Sequence, residues 1–427
     1  MAKDKTKKKG RGKKAGKVLL CILAVIIAFV LITTVITIVT SRANLKKAKS
    51  FEKVEYASQL VPTKQNGYWT FTTDKDLKVL QLTDVHIGGG WMSAKKDAMA
   101  LNAVAAMVTA EKPDLVIVTG DIAYPVPFQA GTFNNKTGAV MFATLMDQLG
   151  VYWTMVPGNH DSELYSYYSR DKVGGFYENG GWKYCIFKSG PEDVNGIGNQ
   201  VVNVKNSDGI ITQSLICIDS NSYTDGDFLG IRWFYDNIHE DQIKWYSETI
   251  DELNEMNDAR YLELGMNDKS DLRTTLFFHI PPEEMYEAWN AYAANGYKDT
   301  ADVKYVYGDA GESGKVVYCP VHPDELIETV LEKGSTKDIF FGHDHKNNIS
   351  FNYKGVNLTY GMSVDYLAYP GIYKLGSQRG CTVITFSPDG SVEYHPESYY
   401  QDKYTSQYDK ELVTMQDVTY TEYNPEN

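Results

Sequence analysis

Cysteine is scarce in this chain of 427 residues, which has only five. No two of them are arranged as Cys-x-x-Cys, so a zinc site built from thiolates is not indicated. Cys217 and Cys381 lie in strand-like runs and are expected to be buried small apolar residues. Cys185 and Cys319 could form a disulfide, and the sequence leaves that alternative open.

Most of the chain also lacks an excess of positive charge. The whole chain has a net charge of -13, yet residues 1–49 carry 13 Lys and Arg against one acid, Asp4. The remaining residues have 29 basic and 54 acidic side chains, a net charge of -25. So acidic a body repels the phosphate backbone of DNA or RNA, and no nucleic-acid partner is expected. A small anionic substrate is not excluded, because a bound metal ion overrides the net field locally.

Long uncharged segments are absent with one exception, residues 18–40, which contain 23 residues without a charge. At about 1.5 Å rise per residue, a helix of this length spans a hydrocarbon core of roughly 30 Å. A cleavable signal has a shorter apolar region and a small-residue cleavage site, so a retained anchor is predicted. Basic residues are more numerous before the segment than after it. This bias predicts a single-pass protein of the plasma membrane with a cytoplasmic N-terminus and an extracellular body.

The predicted domain organisation follows from these shifts in composition. Residues 1–17 form a basic cytoplasmic tail, 18–40 the transmembrane anchor, and 41–70 a stalk or linker. Residues 71–396 form one large domain, in which the Tyr- and Gly-rich stretch 162–210 is predicted to be an insertion. Residues 397–427 are polar and are predicted to be a C-terminal extension. Within the domain, strand-like runs alternate with helical segments, which indicates βαβ units and an α/β fold.

Five strand-like runs each end in side chains that bind metal ions. In such folds, sites form where strands deliver their C-terminal ends. Any one of these endings is weak, because a single His or a Gly-Asp pair is more often structural or part of a turn. All five together, each after an apolar run, are hard to explain by chance. They are Asp84-x-His86, Gly120-Asp121, Gly158-Asn159-His160-Asp161, His279 and Gly342-His343-Asp344-His345.

This order of motifs resembles the calcineurin-like metallophosphoesterases, a superfamily that includes the purple acid phosphatases. The resemblance covers about residues 77–390, and the segments around His279, Tyr360 and Arg379 are similar to the branch of yeast Dcr2 and plant purple-acid-phosphatase-29-type proteins. It implies a four-layer α/β/β/α sandwich with mixed sheets. It also implies two metal ions: Asp84, His86 and His345 hold the first, Asn159, His279 and His343 hold the second, and Asp121 bridges both.

The donor set of imidazole and carboxylate fits Fe, Mn or Zn. By the same resemblance, a hydroxide that bridges the ions attacks phosphorus, and His160 protonates the leaving oxygen as general acid. Asp161 is expected to accept a hydrogen bond from the His160 ring and fix its tautomer. Asp344 is expected to have a supporting role. Purple acid phosphatases lack the His of Asp-x-His and use a Tyr ligand instead, so Tyr124 is an open alternative here.

The function predicted from the sequence is a membrane-anchored, outward-facing phosphoesterase with a binuclear metal site and a small phosphate-ester substrate. One alternative is a nucleotidase or a phosphodiesterase acting on cyclic nucleotides or lipids. The other alternative is a surface binding protein that keeps a phosphatase scaffold. The complete set of seven proposed ligands argues against the binding protein, since a protein without catalysis has no need to retain them all.

Overall fold

Helices and strands alternate along most of the chain, as the sequence predicts. The computed structural model describes residues 3–224, 234–267, 272–372, 379–401 and 403–408, with side chains from residue 14 onward. Its helices are α1 (Lys3–Ala48), α2 (Ala94–Glu111), α3 (Pro127–Ala130), α4 (Asn135–Leu149), α5 (Arg170–Asn179), α6 (Glu240–Glu263), α7 (Glu283–Ala294) and α8 (Leu326–Lys333). Its strands are β1 (Thr63–Gln65), β2 (Tyr68–Thr72), β3 (Leu77–Leu82), β4 (Leu115–Thr119), β5 (Trp153–Val156), β6 (Gln200–Lys205), β7 (Ile211–Cys217), β8 (Thr274–Phe277), β9 (Val303–Tyr307), β10 (Thr336–Phe341), β11 (Ser350–Tyr353), β12 (Val356–Tyr360), β13 (Gly380–Phe386) and β14 (Val392–Ser398).

Two mixed sheets form the centre of the domain. The larger has the strand order β1-β2-β6-β7-β8-β10-β12-β11-β9, and the smaller has the order β14-β13-β3-β4-β5. Strands β3, β4 and β5 are parallel to one another, as are β7, β8, β10 and β12. Antiparallel strands complete both sheets. Each sheet therefore contains a block of neighbouring parallel strands that end on the same side.

Alternation along the strands places apolar side chains on both faces of each sheet. In β3, Leu77 and Val79 point into the core between the sheets, whereas Leu80 and Leu82 point toward the helices α1, α2 and α4. The larger sheet contributes Phe277 and Phe340 to the core between the sheets, and its other face packs against α6, α7 and α8. Strands buried on both faces are expected where helices cover each sheet. The predicted four-layer α/β/β/α sandwich with mixed sheets is confirmed.

The N-terminal apolar segment forms part of the long helix α1, as predicted. Residues Lys14–Ala48 are long and apolar enough to cross a membrane, and the most apolar part of this stretch is exposed. A signal sequence near the N-terminus meets the same criteria of length and composition. Among the described residues, this is the single helix that meets them.

The boundary predicted for a linker is wrong, because residues 41–70 pack onto the domain. Helix α1 continues to Ala48, and Ala48, Phe51 and Val54 are buried in the core beneath α2 and α4. Strands β1 and β2 then join the edge of the larger sheet. Three apolar residues spaced by three among polar neighbours carry too weak a pattern for the sequence to reveal this packing.

Two further stretches are more deeply integrated than the sequence predicts. The proposed insertion, 162–210, contains α5 and also β6, which pairs with β2 and β7 inside the larger sheet. The proposed C-terminal extension, 397–427, begins inside β14, and Tyr399 and Tyr404 are buried among the helices of the smaller sheet. Aromatic residues in polar surroundings pack here against the sandwich. Residues 409–427 lie outside the described part of the chain.

Candidate metal centre

The loops that carry the predicted ligands all follow the C-terminal ends of parallel strands. Strands β3, β4 and β5 lead to Asp84 and His86, to Asp121, and to Asn159 and His160 respectively. Strands β8 and β10 lead to His279 and to the pair His343 and His345. Because the parallel strands of both sheets end on one side, these loops meet there. The site therefore straddles the two sheets.

Four of these residues have backbone φ angles in the left-handed region. The φ angles are 50° for Asp84, 52° for His86, 56° for Asp121 and 80° for His343. Residues other than Gly adopt this region at a cost, and such residues gather at functional sites. Gly120, which precedes Asp121, has a φ of 88°, and a Cβ there would lie 2.4 Å from Nδ1 of His279. Glycine is thus required for the close approach of the Asp121 loop to His279.

The first cluster contains Asp84, His86, Asp121 and His345, all buried, whose ligand atoms lie within 4.8 Å of one another. Nε2 of His86 is 3.2 Å from Oδ2 of Asp121 and 3.9 Å from Oδ1 of Asp84. Nε2 of His345 is 3.5 Å from the same Oδ1 of Asp84. Two atoms that each bind one ion at about 2.1 Å are themselves roughly 3.0–3.5 Å apart. The separations of 3.2 Å and 3.5 Å match the edges of a coordination shell, and the separation of 3.9 Å between His86 and Asp84 is longer.

A second cluster lies on the other side of Asp121. Oδ1 of Asn159 is 3.1 Å from Nε2 of His279 and 3.1 Å from Nδ1 of His343. Nε2 of His279 is also 3.3 Å from Oδ2 of Asp121, the oxygen that faces His86. One carboxylate oxygen thus lies between the two sets of ligands. All seven predicted ligand side chains converge on this region.

A layer of hydrogen bonds orients the imidazoles. Oδ2 of Asp365 is 3.0 Å from Nδ1 of His345, a hydrogen bond. Oδ1 of Asp365 is 3.1 Å from Nδ1 of His86, close enough for an ion pair although the two atoms are not aligned for a hydrogen bond. Nδ1 of His279 faces the carbonyl oxygen of Thr119 at 2.8 Å. Each of these three rings turns Nε2 toward the site, the usual arrangement of a histidine ligand.

The amide of Asn159 is oriented in the same way. Its Nδ2 donates to the hydroxyl of Tyr223 at 2.9 Å, which leaves Oδ1 to face His279 and His343. Asp365 and Tyr223 are both absent from the motifs in the sequence. Asp365 follows β12 in the run Gly361-Met362-Ser363-Val364-Asp365, and no spacing marks it as a partner of His86.

The predicted contact between Asp161 and the His160 ring is wrong. The buried carboxylate of Asp161 accepts backbone hydrogen bonds from Asp121 at 2.8 Å, from Ala123 at 2.9 Å and from Gly158 at 2.9 Å. It therefore braces the two loops that carry Asp121 and Asn159. Because its two oxygens accept these three backbone hydrogen bonds, the carboxylate of Asp161 does not bond the imidazole of His160.

Glu163 takes the place that was predicted for Asp161. Its Oε1 is 2.6 Å from Nδ1 of His160, and it also accepts a hydrogen bond from the hydroxyl of Tyr223 at 3.4 Å. The backbone N–H of His160 donates to Oδ1 of Asp121 at 2.8 Å. A signal for Glu163 exists in the sequence, since it lies three residues after His160 at the start of a loop.

Tyr124 forms a wall of the site. Its ring lies 4.6 Å from the ring of His86 and 4.7 Å from that of His160, centroid to centroid. Its hydroxyl accepts a hydrogen bond from Nε2 of Gln129 at 3.4 Å. Burial and the nearby carboxylate of Asp365 raise the pKa of Tyr124 well above its usual value, so its phenol is held neutral. Asp344, in turn, accepts hydrogen bonds from Tyr360 and from the backbone of Tyr318, a supporting role.

The electrostatics of the site favour bound positive charge. Burial opposes protonation of His86, but the carboxylates of Asp365 and Asp121 outweigh it and raise its pKa to about 10. Burial likewise opposes protonation of His279, and Asp121 raises its pKa to about 9. Burial acts against ionisation of Asp121, yet His279 and His160 hold its pKa well below the usual value. Protons on these rings occupy the region where a cation would bind, and metal binding would displace them.

The residues present fit a pair of metal ions. Oδ1 of Asp84 is buried without a hydrogen-bond partner and faces His86 and His345. Burying an unpaired carboxylate oxygen is costly unless a ligand satisfies it. The donors are imidazoles, carboxylates and one amide oxygen, which suit first-row divalent or trivalent ions. The unsatisfied oxygen and the donor set both indicate a metal site.

Comparison with known families agrees with this geometry. The family model described as calcineurin-like phosphoesterase matches residues 77–347, more than half of the chain. The chain belongs to the calcineurin-like phosphoesterase family. As a calcineurin-like phosphoesterase it has a candidate metal site at Asp84, His86, Asp121 and His345, and the resemblance drawn from the strand-end motifs is confirmed.

Relatives of this calcineurin-like phosphoesterase come from plants and yeast. It is 24% identical to the probable inactive purple acid phosphatase 29 of Arabidopsis thaliana, over 77% of this chain and 81% of the relative. It is 24% identical to the probable inactive purple acid phosphatase 28 of the same plant, over 70% of this chain and 73% of the relative. It is 25% identical to phosphatase DCR2 of Saccharomyces cerevisiae, over 65% of this chain and 45% of the relative. Among solved structures, a dimetal phosphatase from Danio rerio aligns over 76% of this chain and all of its own, with a TM-score of 0.40 and 11% identity.

Proposed function

We propose that this protein is a membrane-anchored phosphoesterase that hydrolyses phosphate esters at a binuclear metal site. The observation that carries the proposal is the position of Oδ2 of Asp121, 3.2 Å from Nε2 of His86 and 3.3 Å from Nε2 of His279. A single oxygen between two sets of ligands is what a bridging carboxylate requires. The family and the donor set support Fe, Mn or Zn as the ions.

The ligand assignment follows from the two clusters. Asp84, His86 and His345 would hold one ion, and Asn159, His279 and His343 would hold the other, with Asp121 shared. When bound, such a pair of ions acidifies a shared water and binds the phosphate oxygens of the substrate. Asp365, Thr119 and Tyr223 keep the ligand atoms aimed into the site before any ion or substrate arrives.

His160 would supply the proton for the leaving group. Its ring lies 5.7 Å from the ring of His86, centroid to centroid, and is partly exposed where a substrate enters. Glu163 holds Nδ1, so the proton transferred would be the one on Nε2. General-acid assistance of this kind contributes about 10²–10⁴-fold to a rate. Two plant relatives are named probable inactive phosphatases, but all seven proposed ligands of this chain are present and gathered together.

The anchor would hold the catalytic domain at the outer face of the plasma membrane. Helix α1 has the length and composition of a membrane span, and its N-terminal flank carries the larger number of Lys and Arg. The excess of positive charge on one flank supports a cytoplasmic N-terminus. Protease treatment of intact cells tests this topology, because an external domain is cleaved and an internal one is protected.

The experiment that tests the enzymatic proposal compares p-nitrophenyl phosphate with its bis-ester. The full-length protein is assayed as purified, after a chelator, and after Mn²⁺, Zn²⁺ or Fe²⁺ is restored. We expect hydrolysis of at least one ester, loss of activity with the chelator and recovery with metal. His160→Ala is expected to keep both metals and lose most turnover, whereas Asp121→Ala is expected to lose metal as well. Absence of turnover with every metal in a folded protein would favour a binding role and refute the proposal.

A further inference from the structure

Helix α1 runs along the domain toward the metal-site end and continues beyond it. Its C-terminal end lies at the far end of α4, where Nε2 of Gln148 donates to the carbonyl of Phe51 and the N–H of Val54 donates to that of Leu149. The other end of α4 is beside the site, because Nδ2 of Asn135 donates to the carbonyl oxygen of Asp161. Going toward its N-terminus, α1 therefore climbs from the base of the domain to the metal-site end.

The contacts of α1 reach the loop that follows His86. Asn44 donates to the carbonyl of Ala94 at 2.9 Å, and Ser41 donates to the carbonyl of Gly89 at 3.2 Å. Farther up, the ring of Phe29 packs edge-on against that of Trp91, with centroids 6.2 Å apart. The helix is thus packed to the domain as far as Phe29. The face turned toward the domain is marked by three partly buried residues between exposed neighbours, Thr33, Thr37 and Thr40.

The length of helix beyond Phe29 is too short to cross a bilayer alone. From Val18, the first apolar residue, to Phe29 the helix rises about 16 Å at 1.5 Å per residue. The hydrocarbon core is roughly 30 Å thick. A hydrocarbon core that begins at Val18 therefore ends about 14 Å beyond Phe29, past the level of Trp91. The metal-site end of the domain must then be inserted into that membrane.

The surface around the site has the apolar side chains that this position requires. We call it the rim, and its members are Met92, Phe128, Phe133, Leu164, Tyr165 and Tyr167, all exposed. Phe128 is 89% exposed and Leu164 is 76% exposed, high values for such large apolar side chains. Exposed apolar patches mark contact with a partner or a membrane. Aromatic rings are also the side chains that proteins place at the membrane interface.

The rim is continuous and borders the catalytic site. The N–H of Met92 donates to the carbonyl of Ala130, at the end of α3, which contains Phe128. The ring of Phe133 contacts that of Tyr165 at 5.8 Å, centroid to centroid. Ala130 packs against Tyr124, whose ring touches His86 and His160. A substrate that enters the site thus passes the rim.

Part of the rim also lacks the acidic charge of the rest of the body. Although the body of the protein is strongly acidic, residues 122–146 contain no acid and one base, Lys136. Lys95 and Lys96 follow Met92 closely, and the next acid, Asp97, is buried by hydrogen bonds from Gly88 and Gly89. The part of the rim around Phe128 and Phe133 is therefore less acidic than the body of the protein, whereas Glu163 adjoins Leu164.

From these observations we propose that the rim inserts into the bilayer that α1 spans, and that the substrate is a phosphate ester carried by a lipid of the leaflet it enters. This inference rests on the proposed function and names the class of substrate for its hydrolytic site. A lipid headgroup in the same leaflet would reach the site by lateral diffusion, without leaving the membrane.

The position of the rim is tested with the full-length protein in nanodiscs of phosphatidylcholine and phosphatidylglycerol. A photoreactive benzoylphenylalanine replaces Phe128, and a matched variant has it in place of Leu262, which is 74% exposed at the end of α6. Asn257, one turn earlier in α6, is bonded to Ile211 at the start of β7, so Leu262 lies at the end of the domain opposite the site. We expect illumination to cross-link lipid to position 128 several-fold more than to position 262. Equal yields at the two positions, or loss of α1 from the mature protein, would overturn the placement.

The substrate class is tested in nanodiscs of the same two lipids to which phosphatidate is added. Hydrolysis of phosphatidate, a monoester, and of phosphatidylglycerol, a diester, is compared with that of their water-soluble head groups, glycerol 3-phosphate and glycerophosphoglycerol. We expect a preference of about tenfold or more for one membrane-borne ester, because confinement raises its effective concentration. Hydrolysis of p-nitrophenyl phosphate without hydrolysis of either lipid would overturn the lipid substrate and leave the proposed function intact. Failure with every ester would refute the proposed function, and the cross-linking result would still decide where the rim lies.

Discussion

Replacement of Asp365 by Asn gives the sharpest test of how the first cluster is organised. Oδ1 of Asp365 accepts backbone hydrogen bonds from Leu367 at 2.6 Å and Ala368 at 2.9 Å, while Oδ2 bonds Nδ1 of His345 at 3.0 Å. If the amide oxygen of the substituted side chain keeps the two backbone donors, its NH₂ group must face the N–H of His345. Two donors then oppose each other, and the negative charge behind both imidazoles is lost.

The expected size of the effect follows from the role of such partners. Loss of a group that orients a metal ligand reduces metal affinity or activity by about 10–100-fold, or about 1.4–2.7 kcal/mol. We expect this loss for the ion held by Asp84, His86 and His345 alone. The second ion, which the proposed function assigns to Asn159, His279 and His343, would have its own supports in Tyr223 and Thr119. Binding of the two ions should therefore separate into a weakened step and an unchanged step.

The assay is a titration of metal-free protein with Zn²⁺ or Mn²⁺ in competition with a chromophoric chelator. Activity should return at high metal concentration, since the variant weakens binding without removing a ligand. Asp338→Asn is the matched control, because Asp338 is a buried carboxylate on β10 that bonds Asn357 at 2.7 Å, far from the ligands at the end of that strand. If Asp365→Asn binds both ions as the wild type does, within about twofold, the orienting role of Asp365 is refuted.

Three further predictions address other contacts. Tyr223→Phe removes the hydroxyl that fixes the amide of Asn159. The same titration should therefore show weaker binding of the ion assigned to Asn159 and unchanged binding of the ion assigned to Asp84. Weaker binding of both ions would contradict the idea that each has its own supporting residues. Glu163→Gln removes the negative charge that bonds the ring of His160. The kcat should fall about tenfold or more for an alkyl phosphate and less for p-nitrophenyl phosphate, because p-nitrophenolate leaves readily without a proton. Equal losses of kcat for both esters at full metal content would exclude this role of Glu163. Burial raises the pKa of Asp338 to about 6, against an unfolded value near 4. The stability that this group contributes is therefore complete below about pH 4 and is lost as pH rises through 6. Urea unfolding should show this fall in the free energy of unfolding with pH in the wild type and not in Asp338→Asn, and the same pH dependence in both would contradict the prediction.

The sequence predicts the site better than it predicts the supports of the site. Each proposed ligand immediately follows an apolar strand, and parallel strands bring their C-terminal ends together whatever the loops do. The four-layer sandwich is implied by the family resemblance, whereas the alternation of strand-like and helical segments predicts only an α/β fold. The partners of the ligands are different, because Asp365 is far from His86 in the chain and meets it only through the packing of the loop after β12. Glu163, and not Asp161, bonds the His160 ring because three backbone N–H groups already donate to Asp161. No local sequence pattern encodes the positions of these donors.

The packing of α1 escapes sequence reasoning for a related reason. The apolar segment predicts a span, but a span followed by polar residues is typical of an anchor and a flexible linker. The structure uses small and polar residues of the helix, among them Ser41 and Asn44, to bond backbone carbonyls of the domain. Such contacts leave no apolar stripe, so periodicity does not reveal them.

Tyr124 shows how the structure bears on two donor patterns in one sequence. A tyrosine ligand must be ionised and must aim its oxygen at the metal. Here the pKa of Tyr124 is raised by burial and by Asp365, and its hydroxyl receives a hydrogen bond from Gln129. Nε2 of His86 meanwhile lies 3.2 Å from Oδ2 of Asp121, in the place that a ligand of the first ion would occupy. Burial and the carboxylate of Asp365 disfavour ionisation of Tyr124, and Asp365 also stands behind His86, so this arrangement favours the histidine over the phenolate as the ligand.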